Sequence, residues 1–384
     1  MRPSICLCMI VKNESKVIER CLASVKGLID TWVISDTGST DGTQDCIRRT
    51  LADIPGVLHE ERWVDFGHNR SLNLQHARGK ADYLLLVDAD LEVRREGPLP
   101  PLSADAYMLR HACDTSYRIR RLVRGDLPWR YEGATHEYLT CDQDVRQENL
   151  DALVIVDHGD GGSKHDKFER DARLLTGELQ RNPNDPRTVF YLAQTMKDLG
   201  RTAEAVRLYQ RRVELGGWVE EVYWSLLQIG VLKSSVGDWP HAMEAFAQAW
   251  ESRPQRLEAC YEMVTRLRGM RRYRSAHAVV SSVVGGALPA EDLLFTQPWV
   301  YRWGLLFEFS ITSYWVGDHA GAINACDGLL QMPDLPEEIR EQTVKNRRFS
   351  EEVLTARRAN STAVAHHVPA VPTGGRRDPS PTAS

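Results

Sequence analysis

Asp88-Ala89-Asp90 follows the apolar run Tyr83 to Val87, which has the character of a buried strand. At a strand end, residues two apart point the same way. Both carboxylates can therefore meet a hard cation such as Mg2+ or Mn2+, and such a cation can neutralise a diphosphate. A solvated turn or helix cap is the competing reading. The buried run before the pair and Leu91-Glu92 after it favour metal binding. A second cluster is Asp36-Thr-Gly-Ser-Thr-Asp-Gly-Thr43. Gly38 and Gly42 permit tight turns, and Asp36 can accept from ribose hydroxyls or a base N–H. The segment also suits a strand-to-helix connection capped by Asp41 or Ser39, and that role for Asp41 leaves Asp36 free for another. It is neither GxGxxG nor a Walker loop, so it announces no dinucleotide or ATP site. Arg70 carries a guanidinium suited to a pair of phosphate oxygens. An exposed helix position would explain it equally well.

These residues need elements to hold them. Ser4 to Val11 is apolar and partly β-branched, which predicts a buried strand. Helical spacing follows over Lys16 to Lys26, then a strand at Trp32 to Ser35 and another at Val57 to Val64. Asp65 can cap a helix running to about Arg78. Val154 to Val156 form a later strand that leads into Asp157-His158-Gly159. Strands alternating with helices predict a largely parallel sheet covered on both faces. In such sheets ligands bind outside the carboxyl ends of the strands. Asn13-Glu14, the Asp36 loop and Asp88-Ala89-Asp90 all fall there.

From about residue 166 strand signals vanish and helical periodicity takes over. Ala193, Gly200, Ala205 and Tyr209 form one set; Gly230, Gly237, Ala242, Phe246, Ala249 and Pro254 form a second. Ala193 to Ala205 is twelve residues, as is Gly230 to Ala242. Small residues at this spacing let antiparallel helices approach closely, with Gly200 and Gly237 in the turns. Ala276 marks a weaker third unit, thirty-four residues after Ala242. Gly317, Ala322 and Cys326 suggest a fourth. The spacing resembles the tetratricopeptide repeat, in which stacked units bury a continuous core. An irregular bundle would explain the helices but not the matched spacings. Residues 359–384 lack periodicity and predict a disordered tail.

The remaining composition excludes several classes. A chain of 384 residues with 42% hydrophobic and 26% charged residues is not mainly disordered. A net charge of −5 argues against a strong nucleic-acid binder. No apolar run approaches the ~20 residues of a membrane span. Ile5 to Val11 stops at Lys12-Asn13-Glu14, unlike a signal peptide. The eight cysteines show no CxxC spacing, so reduced thiols in a cytoplasm are expected. There is no GxSxG elbow, HExxH or kinase signature.

Taken together, ICLCMIVKNE, VISDTGSTDGT and ARGKADYLLLVDADLE resemble the family 2 glycosyltransferases of GT-A fold, over roughly residues 4 to 160. The HxG segment and the repeats are similar to a bacterial subgroup that joins this domain to tetratricopeptide-like helices. The resemblance implies an α/β GT-A (Rossmann-like) domain over 1–165, all-α repeats over 166–358 and the tail over 359–384. It implies a nucleotide-sugar donor, most often a UDP-sugar, and inversion by direct displacement. Asn13, Glu14 and Asp36 would line the uridine pocket. Asn69, Arg70 and Lys80 would sit near the ribose and diphosphate. Asp90, with Asp88 less directly, would hold Mg2+ or Mn2+, and His158 would complete the metal shell; a turn histidine is the alternative for His158. Within Trp129 to Leu139, Gly133 precedes His136-Glu137, and the subgroup has a similar element on its acceptor side. A base that removes the acceptor proton typically contributes 10²–10⁴-fold. Glu137 is the candidate, with Glu132 or an unassigned Asp as rivals and an edge-strand carboxylate as the alternative.

The expectation is therefore a cytoplasmic, metal-dependent glycosyltransferase. The repeats would hold a peptide or protein acceptor, or pair subunits as a homodimer. Action on a lipid-linked or lipopolysaccharide-core glycan is one alternative. A non-enzymatic repeat scaffold with a degenerate first domain is another, against which Asp36, Asp88 and Asp90 argue.

Overall fold

The computed structural model describes residues 2–112, 117–161 and 167–365; the side chains of 358–365 are left aside. The expected helix start near Lys164 and His165 lies outside the described residues, as does 366–384 of the expected tail. The preceding stretch, 359–365, continues the last helix, which ends at Ala365. Two compact units make up the chain, Met1–Leu215 and Gly216–Ser384.

The first unit is built on an eight-stranded sheet. Its strands are β1 (Ile5–Val11), β2 (Thr31–Asp36), β3 (Gly56–Glu60), β4 (Tyr83–Leu86), β5 (Leu91–Arg95), β6 (Ala106–Ala112), β7 (Tyr117–Arg124) and β10 (Gln147–Asp157). Their order is β3-β2-β1-β4-β7-β6-β10-β5. Helices α1 (Ile18–Val25), α2 (Thr43–Thr50) and α3 (Phe66–Ala77) connect the early strands. Asp65 caps α3 by accepting from the His68 amide at 2.7 Å. β1 alternates its side chains between two cores, as a pleated strand must. Ile5, Leu7 and Met9 pack with Ile18 and Leu22 of α1. Cys6 and Cys8 pack on the other face with Leu74 and Ala77 of α3. Burial on both faces is why ICLCMIV is apolar throughout.

The sheet is mixed rather than largely parallel. β3, β2, β1 and β4 are parallel neighbours, but β7 runs antiparallel to both β4 and β6. Only four residues separate β6 from β7, too few for a parallel crossover, so their pairing is antiparallel. The parallel half aligns the strand ends that matter: Val11 lies opposite Asp36, and Cys8 opposite Leu86. A separate hairpin, β8 (Arg130–Glu132) and β9 (Tyr138–Thr140), carries the loop 133–137 between its strands. Helices α4 (Lys167–Arg181), α5 (Pro186–Asp198) and α6 (Thr202–Leu215) complete this unit.

The second unit is helical. It contains α7 (Val219–Ser235), α8 (Trp239–Ser252), α9 (Glu258–Gly269), α10 (Tyr273–Val283), α11 (Leu305–Val316), α12 (His319–Leu330) and α13 (Glu337–Ala365). A π-helical turn, Val300–Gly304, precedes α11. The repeat positions are buried: Ala193, Ala205, Tyr209, Ala242, Phe246, Ala249 and Ala276 are fully covered. A Cβ at Gly230 would stand 2.4 Å from the Phe246 ring, so glycine lets α8 approach α7. Gly200, Gly237 and Gly317 adopt φ of +72, +80 and +90°, and each precedes a buried alanine by five residues. At the same offset before Ala276 stands Arg271, with φ +58°. The third turn thus uses the left-handed conformation without a glycine. No helix among the described residues is long and apolar enough to cross a membrane.

Candidate active site

Asp88 leaves the end of β4 between two arginines. Arg70, in the second turn of α3, donates from Nη2 to Asp88 Oδ1 at 2.6 Å and from Nε to Glu137 Oε1 at 2.7 Å. Arg121, on the neighbouring antiparallel β7, reaches Asp88 Oδ2 at 3.3 Å and the Leu86 carbonyl at 3.4 Å. The side chains of Arg70, Asp88 and Glu137 are 17, 28 and 14% exposed. Burial opposes the charge on Asp88, but Arg70 and Arg121 outweigh it and hold the carboxyl well below the ordinary range. Burial likewise opposes the charge on Arg70, and Asp88 and Glu137 together keep its guanidinium firmly protonated. Charge-assisted bonds of this length fix geometry tightly.

Two clefts meet at this triad. The first, about 300 Å³, is lined by Glu14, Thr37, Arg70, Asp88, Asp90 and Asp157 among others. The second, about 490 Å³, is lined by Arg70, Asp88, Arg118, Arg120, Tyr131 and Glu137 among others. Arg70, Asp88 and Arg121 border both. The first cleft opens on carboxylates beside the strand ends, while the second presents Glu137 with arginines and tyrosines.

The sequence-predicted residues divide on this geometry. Asp36 is buried; its Oδ1 accepts from the Gly38 and Ser39 amides at 2.8 Å each. Its Oδ2 is buried with no hydrogen-bond partner. Asn13, at φ +56°, accepts from the Thr40 amide through Oδ1 at 2.8 Å and so ties the end of β1 to the Asp36 loop. The Glu14 amide donates to Thr43 Oγ1 at 2.8 Å, and Glu14 lines the first cleft. Asp90 lies in the same cleft as Asp88; its backbone carbonyl accepts from Arg20 at 3.2 Å. A Cβ at Gly161 would come 2.7 Å from Asp90 Oδ2, so the segment after β10 packs directly on this carboxylate.

Two of the expected residues stand apart, and a third, His158, lies next in register to Asp90 but is hydrogen-bonded to a neighbouring carboxylate. Asn69 is fully buried, accepting from the Val64 amide at 2.9 Å and donating to the Arg62 carbonyl at 3.0 Å. Its amide braces the loop before α3, and it is Arg70, one residue on, that faces the clefts. Lys80 precedes β4 and lines a different hollow with Ser4, Asp82 and Tyr83. It sits at the amino end of the strand whose carboxyl end leads to Asp88, so it is placed away from this site. His158 pairs through Nε2 with Glu92 Oε2 at 2.8 Å. Asp157, its neighbour, lines the first cleft instead.

Sequence reasoning missed Asp157, Arg121 and His111. Asp157 ends an apolar strand and so carried a usable signal. Arg121 sits in YRIRRLVR, where a charge run suggests a solvated face. His111 stacks on Tyr117 with ring centroids 4.8 Å apart. Burial, helped by Arg121, pushes its imidazole down to about 4. Elsewhere, His59, Glu61 and His76 bring potential ligand atoms within 4.8 Å of one another. The two imidazoles stack 4.0 Å apart at 10°, so their lone pairs lie in parallel planes rather than converging. His76 is already hydrogen-bonded to Glu61 at 2.9 Å.

Comparison with known proteins bears on the same region. Residues 6–160 match the model for glycosyl transferase family 2. The chain is 24% identical over 229 residues to the SPbeta prophage-derived glycosyltransferase SunS of Bacillus subtilis, covering 55% of this chain and 53% of that protein. It is 39% identical over 87 residues to a TPR repeat-containing protein of Synechococcus elongatus, covering 23% of this chain and 20% of that one. It therefore spans about half or less of the length of these curated relatives. Among solved structures, MamA aligns at TM-score 0.36 and 17% identity, covering 49% of this chain and 98% of MamA. YrrB, described as a TPR protein with an unusual peptide-binding site, aligns at 0.35 and 13%, covering 48% and 86%. In this chain, residues 6–160, which match glycosyl transferase family 2, are followed by helices with tetratricopeptide-like spacing.

Proposed function

We propose that this chain is a metal-dependent, inverting glycosyltransferase that moves a sugar from a UDP-sugar to a peptide or protein acceptor. One observation carries the reading: a cleft of carboxylates at the strand ends and a cleft holding Glu137 share the Arg70–Asp88 pair. The donor would occupy the first cleft and the acceptor the second. The unpartnered Asp36 Oδ2 would be satisfied by a uracil N–H or a ribose hydroxyl. Asp90 and Asp157 offer hard oxygen donors, as Mg2+ or Mn2+ requires. Asp88 fits that role less directly, because both its oxygens already accept from arginine. A cation bound there would supply neutralisation of the diphosphate charge.

The protein's own groups would do the rest. Glu137 would accept the proton from the acceptor nucleophile. Arg70 would hold Glu137 and Asp88 in fixed relation, so that donor and acceptor meet across it. This is positioning and charge stabilisation, with no covalent intermediate. The catalytic part would correspond to 1–165 and the acceptor-holding repeats to 166–358, in a cytoplasmic protein.

The test is UDP release from a panel of UDP-sugars with Mn2+ or EDTA. Wild type should release UDP from one donor only with metal. Asp90→Ala should lose release, and Glu137→Gln should lose it while still binding UDP. Failure to bind UDP in the presence of metal would overturn the reading.

A further inference from the structure

The loop 133–137 is gripped on both sides, and the second grip comes from a helix with the repeat signature. On one side stands the start of α3. The Phe66 amide donates to the Ala134 carbonyl at 3.0 Å, and a Cβ at Gly67 would stand 2.2 Å from the Gly133 carbonyl oxygen. On the other side stand α4 and α5. Thr135 Oγ1 is 3.5 Å from Asp171 Oδ1, and both residues are buried. His136 lies flat on Tyr191 of α5, centroids 4.2 Å apart and planes within 8°. Arg187, one turn earlier, donates from Nη2 to the His136 carbonyl at 2.9 Å. Its guanidinium sits between the Tyr138 and Tyr191 rings, 4.9 and 4.8 Å from their centroids.

Glu137 is thus the residue between two that Arg187 holds. His136 needs that hold, because its φ of +52° is a conformation that non-glycine residues adopt at a cost. With the backbone fixed at 136 and the ring fixed at 138, the Glu137 side chain is directed to Arg70. Burial, with the nearby charges of Lys167 and Arg187, lowers the His136 imidazole's pKa and so disfavours a charged ring beside Arg187.

We infer that Arg187 and Tyr191 are positioning residues for Glu137, so that the first helices with the repeat signature build part of the catalytic site. The inference rests on the reading of Glu137 as the base. Misplacing a reacting group by about 1 Å can cost on the order of 10²-fold in rate.

The test uses the full chain with Arg187→Met, Arg187→Lys, Tyr191→Leu and Tyr191→Phe. Metal-dependent UDP release gives kcat and donor KM, and hydrogen exchange is followed on the peptide spanning 133–138. Arg187→Met and Tyr191→Leu should lower kcat by roughly 10- to 100-fold, leave donor KM within about twofold, and lose amide protection over 133–138. Tyr191→Phe keeps the ring that stacks on His136 and should lose less than Tyr191→Leu, while Arg187→Lys should lose less than Arg187→Met. Wild-type kcat in Arg187→Met and Tyr191→Leu, or unchanged protection, would overturn the inference. If Arg187→Met does not fold, the contrast between Tyr191→Leu and Tyr191→Phe decides. If wild type turns over no donor, UDP binding with metal decides the transferase reading and exchange alone decides this one: lost protection sustains the clamp and unchanged protection removes it.

Discussion

Replacing Arg70 by methionine keeps most of the side chain's volume and removes its charge. Two carboxylates lose a shared cation held at 2.6 and 2.7 Å. Removing one partner of a buried ion pair typically costs about 3–5 kcal/mol, because the other charge stays behind uncompensated. Here Asp88 keeps Arg121 at 3.3 Å, so the lower end, about 3 kcal/mol, is the working figure. With a urea slope of roughly 3 kcal/mol/M for a unit of this size, the midpoint should fall by about 1 M. Hydrogen exchange on peptides of the first unit can follow it, since only Trp32, Trp63 and Trp129 of the ten tryptophans lie there and fluorescence would report mainly on the second unit. Arg70→Lys should recover less than half of the loss, because an ammonium lacks the planar fork that serves two carboxylates at once.

A double-mutant cycle separates this account from a general packing defect. Glu137→Gln alone removes the charge that Arg70 Nε addresses. If the two side chains act as a pair, Arg70→Met and Glu137→Gln should couple by at least about 1.5 kcal/mol. Additivity within about 0.5 kcal/mol would refute the reasoning. So would an Arg70→Met midpoint indistinguishable from wild type, since a guanidinium this enclosed cannot be an idle surface charge.

Other perturbations test the elements behind the site. Gly230→Ala forces a Cβ to 2.4 Å from Phe246 and should cost about 1–3 kcal/mol by overpacking; Phe246→Leu in the same chain should return part of it, and equal melting losses with and without that change would reject the contact. Arg271→Gly should stabilise by about 0.5–1 kcal/mol, the left-handed penalty outweighing the added freedom of the unfolded chain, and a lowered Tm would count against it. Burial alone would push the Asp41 carboxyl up, but hydrogen bonds from Thr43 and Ser15 prevail and hold it at about 2 instead of 3.8. A folded pKa below the unfolded one gives stability present above about pH 4 and lost as pH falls through about 2; solvent screening of this exposed carboxylate limits it to about 1 kcal/mol. Asp41→Asn should therefore melt lower than wild type at pH 6 and together with it near pH 2, and a gap that persists at pH 2 would contradict this.

What the residues disclosed follows from what each pattern reports. β1, β2 and β4 were legible because burial on both faces demands unbroken apolar runs. β6 and β7 escaped because polar residues stand at covered positions, His111 buried and Arg118, Arg120 and Arg124 half-buried, while Tyr117 and Ile119 are exposed, which hides the strand period. Asp36, Asp88 and Asp90 could be placed because strand ends converge on one sheet edge. Lys80 is near Asp88 in sequence, but β4 lies between them, and each strand residue adds ~3.3 Å. Asn69 and Arg70 are neighbours on a helix, about 100° apart around its axis; one faces the core and the other the clefts. Asp157 and His158 alternate at a strand end, Asp157 lining the first cleft and His158 meeting Glu92 beside Asp90.

The repeats show the same limit at a larger scale. Glycine marks a left-handed turn in sequence, so the turns at Gly200, Gly237 and Gly317 stood out and the one at Arg271 did not, although all four have the same sign of φ. The small residues Ala193 and Ala205 report that two helices approach closely, which is a local fact. They carry no information about what else those helices touch. α5 and α6 have the repeat spacing, yet they belong to the compact unit that contains the sheet, and α5 turns Arg187 and Tyr191 toward the loop that bears Glu137. Helix periodicity says nothing of the partner of either residue, and the fold brings both to His136. A repeat helix recruited in this way constrains the chain as a whole: the spacing that builds the repeat and the contacts that hold the loop must be satisfied by one helix, so a substitution at Tyr191 is tested against both.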